Sequence, residues 1–225
     1  MILKEPTIFI NFKTYPQATA QNALKLAKII DDVSKEAGIT IFLSPQFMDI
    51  NPIISKYNIP IFVQHIDYVK PGKNTGHVTP ESVKQAGCVG ALINHSEKRI
   101  SFDQIENIVK KFKELDLLSL VCAQTVEEVK LFSQLDPDLI AIEPPELIGS
   151  GRAVSKVNPN IISDSVNAAN SVNSNVDILC GAGIMNDDDV KIALKLGSKG
   201  ILIASGVVKS NNCGQKIKEL VSAFI

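Results

Sequence analysis

The sequence predicts an α/β fold, a single parallel (β/α)8 barrel, on three observations. Eight short apolar runs alternate with stretches of helical periodicity. The runs are continuous and mostly branched, so they read as strands buried on both faces, as in parallel sheets. No shift in composition marks a boundary within the 225 residues, so the chain reads as one domain, 1–225, of about 28 residues per βα unit. A doubly wound open sheet is the alternative. It would run to fewer strands and carry a glycine-rich turn after the first, where this chain has Asn11-Phe12-Lys13.

Thr7 to Asn11 forms the first strand. From Gln17 to Ala37, Ala20, Ala23, Leu24, Ala27 and Ile30 keep helical spacing, and Gly38 ends the helix. Ile39 to Leu43 is the second strand. Pro45 to Tyr57 is helical but interrupted by Pro52, and Ile61 to Gln64 is the third strand. His65 to His77 has no periodicity, and a long loop in a compact domain serves function or an interface. Thr79 caps the next helix, with Pro80 in its first turn. Val89 to Ile93 is the fourth strand. Ser101 and Gln104 form a capping box ahead of Ile105, Ile108, Val109 and Phe112. Leu117 to Cys122 is the fifth strand, and Thr125 with Glu128 caps a helix in the same way. Leu139 to Ile142 is the sixth strand, with Glu143 at its end. Asn158 to Asn175 is a weak, solvated helix, Val176 to Cys180 the seventh strand, and Asp187 to Leu196 a helix closed by Gly197. Gly200 to Ala204 is the eighth strand, and Lys216 to Phe224 the last helix.

The net charge of -1 points to neither a nucleic-acid nor a membrane partner, and no apolar run approaches the eighteen or so residues of a membrane helix. The N-terminus does not read as a signal peptide. Cys88, Cys122, Cys180 and Cys213 lack metal-ligand spacing and read as reduced thiols in a cytoplasmic protein, with a catalytic role for one of them as the alternative.

The chemistry-bearing residues all follow strand ends: Asn11 and Lys13, His95, Glu143, Gly181 and Gly183, Ser205 and Gly206. Alone, each has a bland reading as a solvated lysine, a structural histidine or an ordinary turn. In a barrel they converge on the face where active sites are built. The small loops after strands seven and eight can present N–H groups to a phosphate. Glu143 suits a general base, and Lys13 suits compensation of developing negative charge. His95, followed by Ser96-Glu97, is expected at a helix start that disfavours its cation. Pro144 to Gly151, stiffened by two prolines and apolar at Leu147-Ile148, reads either as a lid over this site or as an ordinary turn. Together these parts suit proton abstraction beside a carbonyl in a small phosphorylated substrate.

Six segments then carry a resemblance: Asn11-Phe-Lys-Thr-Tyr15, Thr75-Gly-His77, Asn94-His-Ser-Glu-Lys-Arg99, Ile142-Glu-Pro-Pro-Glu-Leu-Ile-Gly-Ser-Gly151, Cys180-Gly-Ala-Gly-Ile184 and Ala204-Ser-Gly206. In this order the chain resembles the triosephosphate isomerase family in its short archaeal-type form. The resemblance implies a TIM barrel that interconverts dihydroxyacetone phosphate and D-glyceraldehyde 3-phosphate without cofactor or metal, in glycolysis and gluconeogenesis. It implies Glu143 as base, His95 as electrophile, Lys13 stabilising the enediolate and Asn11 orienting it. Ile148, Gly149, Gly183, Ala204 and Ser205 would contact the phosphate, and Glu97 would organise Lys13 and His95. It also implies a homo-oligomer, most simply a tetramer of two dimers, in which Thr75 enters a neighbouring subunit near Asn11 and His95.

The chain departs from the family's longer form. It has no tryptophan for the lid, Cys-Gly-Ala-Gly replaces a Gly-Gly-Ser turn, and Ser-Gly replaces Gly-Gly. A sugar-phosphate epimerase-like barrel and an inactive binding barrel are the competing readings. The first calls for a His/Asp metal set, and the second for loss of Glu143, His95 or Lys13.

Overall fold

The computed structural model describes residues 6–147, 152, 157–158 and 160–224. The strands are β1 (Thr7–Asn11), β2 (Ile41–Ser44), β3 (Phe62–Val63), β4 (Gly90–Ile93), β5 (Leu118–Ala123), β6 (Leu139–Ile142), β7 (Asp177–Cys180) and β8 (Gly200–Ile203). All pair in parallel in one sheet, in the order β2-β1-β8-β7-β6-β5-β4-β3. A bridge between Leu43 and Ile61 joins the two ends, which makes a (β/α)8 barrel.

Helices alternate with the strands: α1 (Gln21–Ala37), α2 (Phe47–Ile54), α3 (Pro80–Gln85), α4 (Phe102–Glu114), α5 (Val126–Ser133), α6 (Asn160–Asn170), α7 (Asp187–Lys195), α8 (Ser205–Val208) and α9 (Cys213–Val221). The predicted caps form at Thr79, which accepts from the Ser82 N–H, and at Ser101, where both halves of the box with Gln104 are made. At α5 only half forms. Thr125 accepts from the Glu128 N–H, but the Glu128 carboxylate turns to the Gln124 N–H and to Arg99.

Several boundaries differ from expectation. Pro16–Ala18 forms a separate 3-10 turn, so α1 starts at Gln21 rather than Gln17. Pro52 lies inside α2 without ending it, because the Ser55 N–H still reaches the Asn51 carbonyl and the ladder resumes. The last helix begins at Cys213, where Asn212 caps it through the Gln215 N–H at 3.0 Å. The short α8 directly after β8 was not expected.

Two buried layers fill the barrel. Outside the sheet, residues such as Ile8, Ile10, Ile140 and Ile201 pack on the helices. Inside it, Phe9, Phe42, Phe62, Leu92, Leu120, Ala141, Leu179 and Leu202 form a separate cluster. Phe9 stacks on Phe42 at 4.5 Å, and Phe62 meets both edge-on. Gly90 makes room for this plug, since a Cβ there would lie 2.7 Å from Phe62 Cζ. Side chains two positions apart on a strand share a face. Asn11, Cys122, Gly181 and Ala204 therefore stand one layer above Phe9, Leu120, Leu179 and Leu202, and Glu143 stands above Ala141. The plug is the floor, and these residues are what it supports.

Candidate active site

A cleft of about 420 Å³ opens above that floor. It is lined by Asn11, Lys13, His95, Glu97, Glu143, Gly181, Gly183, Ala204, Ser205 and Gly206, all named from the sequence, by Leu147 of the expected lid, and by Tyr15 and Met185, which were not assigned there. Ile148 and Gly149 lie outside the described residues, as does the stretch 148–151 of the expected lid. Pro145–Leu147 forms a 3-10 turn, and Leu147 is buried. Thr75 is exposed on its loop and does not line this chain's own cleft.

Lys13 sits in the left-handed region, at φ 47°. A non-glycine residue there carries strain and needs holding. Its N–H donates to Asn11 Oδ1 at 2.9 Å, and its carbonyl accepts from Gln64 Nε2 at 2.9 Å, which also reaches the Ser44 carbonyl. Its ammonium donates to Glu97 Oε1 at 2.7 Å. Asn11 thus orients Lys13 through the backbone, and Glu97 orients it through the side chain. Gln64 was missed because a glutamine at a strand end reads as solvated. Its partners are distant in sequence.

His95 is buried, with Nε2 3.6 Å from Glu143 Oε1. Its Nδ1 accepts from the Glu97 N–H at 3.2 Å, which leaves the neutral ring's proton on Nε2, facing Glu143. The expected helix start is not there. Residues 95–98 make a turn, the Lys98 N–H bonding the His95 carbonyl at 2.8 Å, and α4 begins at Phe102. The cation is disfavoured for other reasons. Burial, then the Lys13 ammonium, bring the ring's pKa down to about 4.

Glu143 follows β6, and its N–H bonds the Ala123 carbonyl at 2.8 Å. The carboxyl is buried, and Oε2 has no hydrogen-bond partner. Burial pushes its pKa up to about 7, opposed by the neighbouring Cys122 thiol and by Lys13. One neutral donor and one carboxyl that titrates near neutrality therefore face the same space. This is the pattern expected of a site built for proton transfer.

Across the cleft, Gly183 adopts φ 71° after β7. Ser205 and Gly206 open α8 after β8, and the first N–H groups of a helix have no acceptor within it. All four cysteines are free thiols. Among the described residues no group of three His, Cys, Asp or Glu could hold a metal ion, and no helix is long and apolar enough to cross a membrane.

The sequence profile of the family described as Triosephosphate isomerase matches residues 6–223. The protein of that name from Methanocaldococcus jannaschii is 48% identical over 214 residues, covering 95% of this chain and 98% of that protein. Those from Methanothermus fervidus and Methanosarcina acetivorans are each 46% identical, over 98% and 96% of this chain and 99% and 97% of their own lengths. With the barrel and the cleft, these matches lead to one conclusion: the chain belongs to the triosephosphate isomerase family.

Proposed function

We infer that this chain interconverts dihydroxyacetone phosphate and D-glyceraldehyde 3-phosphate through an enediolate, in glycolysis and gluconeogenesis. The observation that carries the reading is the approach of the buried Glu143 carboxylate to the neutral His95 ring, 3.6 Å apart in one cleft. The substrate's carbonyl and its neighbouring hydroxyl-bearing carbon would lie in the cleft against both groups. Glu143 takes the proton from that carbon and returns it to the adjacent one. His95 donates the Nε2 hydrogen bond to the oxygen that gains charge, and Lys13 compensates that charge. Backbone groups at Gly183, Ala204 and Ser205 receive the phosphate, joined by Ile148 and Gly149 from beyond the described residues. Closing of Pro144–Gly151 as a lid would exclude water and strengthen each charge interaction.

The same reading makes the chain one catalytic domain, cytoplasmic and without cofactor, with neither nucleic acid nor membrane as partner. It works as a homo-oligomer, most simply a homotetramer. Two features support a dimer at the loop following β3. Asp67 pins the loop's base, accepting from the Val78 N–H at 2.8 Å and meeting His65 Nε2 at 3.2 Å, while its tip stands exposed. A second cleft of about 300 Å³, lined by Asn11, Lys13, Gln64, His95 and Glu97 among others, opens where the Thr75 loop of a second copy would seat.

The test is a coupled assay that converts D-glyceraldehyde 3-phosphate and follows dihydroxyacetone phosphate. Turnover that falls by about a hundredfold or more in His95→Gln and Glu143→Gln is expected. Wild-type protein without isomerisation would overturn the reading.

A further inference from the structure

Asn94 precedes His95 at the end of β4, and its backbone lies in the left-handed region, at φ 63°. The side chain is buried, and both of its polar atoms are hydrogen-bonded. Nδ2 donates to the Cys122 carbonyl on β5 at 3.1 Å, and Oδ1 accepts from the Ile100 N–H at 3.1 Å. One amide therefore ties both ends of the loop 94–100 to the neighbouring strand. That loop carries His95 and Glu97, and the anchoring strand carries Cys122, whose thiol lies beside Glu143.

We propose that Asn94 is a positioning residue, which sets the distance and ring orientation of His95 relative to Glu143 by clamping loop 94–100 to β5. The proposal rests on the reading of His95 as the group that polarises the carbonyl. A residue chosen only to turn the chain would do best as glycine, which takes positive φ without strain. Asparagine tolerates that region and adds two hydrogen bonds that glycine cannot make. The loop's other holds run through long side chains, Glu97 to Lys13 and Arg99 to Glu128. His95 makes its turn through the Lys98 N–H and the Glu97 N–H, both inside the loop, so neither fixes the loop to the barrel. Without the Asn94 amide the ring can shift as the turn shifts, and small misplacements of a reacting group are expensive in rate.

The experiment compares Asn94→Gly, which keeps the backbone conformation and loses the clamp, with Asn94→Ala, which loses the clamp and also strains the backbone. Both are made in the wild-type and His95→Gln backgrounds. Turnover is measured per folded site, and nitrogen NMR at neutral pH reads the His95 tautomer. Asn94→Gly is expected to lower kcat by about tenfold to hundredfold with KM changed by less than about threefold. It should blur the single Nε2-protonated tautomer and cause no further loss when His95 is already glutamine. Failure of Asn94→Ala to fold leaves Asn94→Gly to decide. A kcat within about twofold of wild type in Asn94→Gly, or an equal loss in both backgrounds, overturns the proposal. If His95→Gln itself turns over normally, the functional reading fails instead, and the tautomer signal alone decides whether Asn94 holds the ring.

Discussion

Gly181 lies so close to Glu143 that a Cβ added to it would stand 2.4 Å from Glu143 Cγ, with the Ile142 carbonyl at 3.1 Å on the other side. The glycine after β7 therefore leaves the space in which the carboxylate rests. Gly181→Ala is expected to fold and to displace Glu143, lowering kcat by about tenfold to hundredfold, since a base misplaced by an ångström loses most of its reach. Steady-state kinetics checks this. A kcat equal to wild type would mean that Glu143 works from elsewhere.

Glu143→Gln should lower turnover by about a hundredfold to ten thousandfold, the usual worth of a positioned base. It has a second, opposite effect. Burial raises the carboxyl pKa from 4.5 to about 7, so the folded state holds the proton more tightly than the unfolded chain does. Glu143 therefore contributes stability at low pH that is lost as pH rises from its unfolded value through about 7. Between about pH 5 and pH 8 the variant should gain about 2–3 kcal/mol on the wild type. Denaturant melts at both pH values measure it, and a gap that does not widen with pH would mean that the carboxyl is not desolvated.

The same titration governs activity. The base must be ionised, so kcat/KM should fall about tenfold per unit as pH drops below about 7. His95, already neutral down to about 4, should add no step in that range. The substrate phosphate titrates near 6. An enzyme-side midpoint above that value is therefore the sign of Glu143. A midpoint near 4.5 would contradict its burial.

Lys13→Met should be folded and nearly inactive, losing about a hundredfold or more, because the developing charge is left uncompensated in a largely dry site. Circular dichroism confirms the fold and the coupled assay the loss. Normal turnover would place Lys13 outside the chemistry, despite its bond to Glu97.

Most of the strands were legible because burial on both faces writes itself as an unbroken apolar run, as in Ile8 to Ile10 and Leu139 to Ile142. Asn11, Lys13, His95 and Glu143 were legible because polar residues at the ends of such runs are conspicuous. What was hidden depends on distant partners. Gln64 and Asn94 acquire meaning only from the carbonyls of Lys13, Ser44 and Cys122 that they meet across the barrel. The His95 turn was misread as a helix start because Ser96-Glu97 has the composition of one, while the Lys98 N–H closes the chain back on the His95 carbonyl. Leu147 was read with Ile148 only as the apolar part of a lid or turn, since its neighbours in sequence are prolines and glycines. The cleft wall that buries it comes from elsewhere in the chain.

The barrel closes unevenly. Most strands are laddered to their neighbours over several residues, but β7 and β8 register through one pair, Cys180 with Ile201, and β3 has only two residues and meets β2 through a single bridge, with the Leu43 N–H on the Pro60 carbonyl at 3.1 Å. Local opening concentrates where few backbone bonds must break together. Amide protons of Leu43 and its neighbours along this seam should therefore exchange with solvent sooner than those of β5 or β6. The seam runs directly into Gln64 and the loop that follows it. A second copy seated on that loop would then act as a clasp, slowing exchange along the seam and steadying the backbone that presents Lys13.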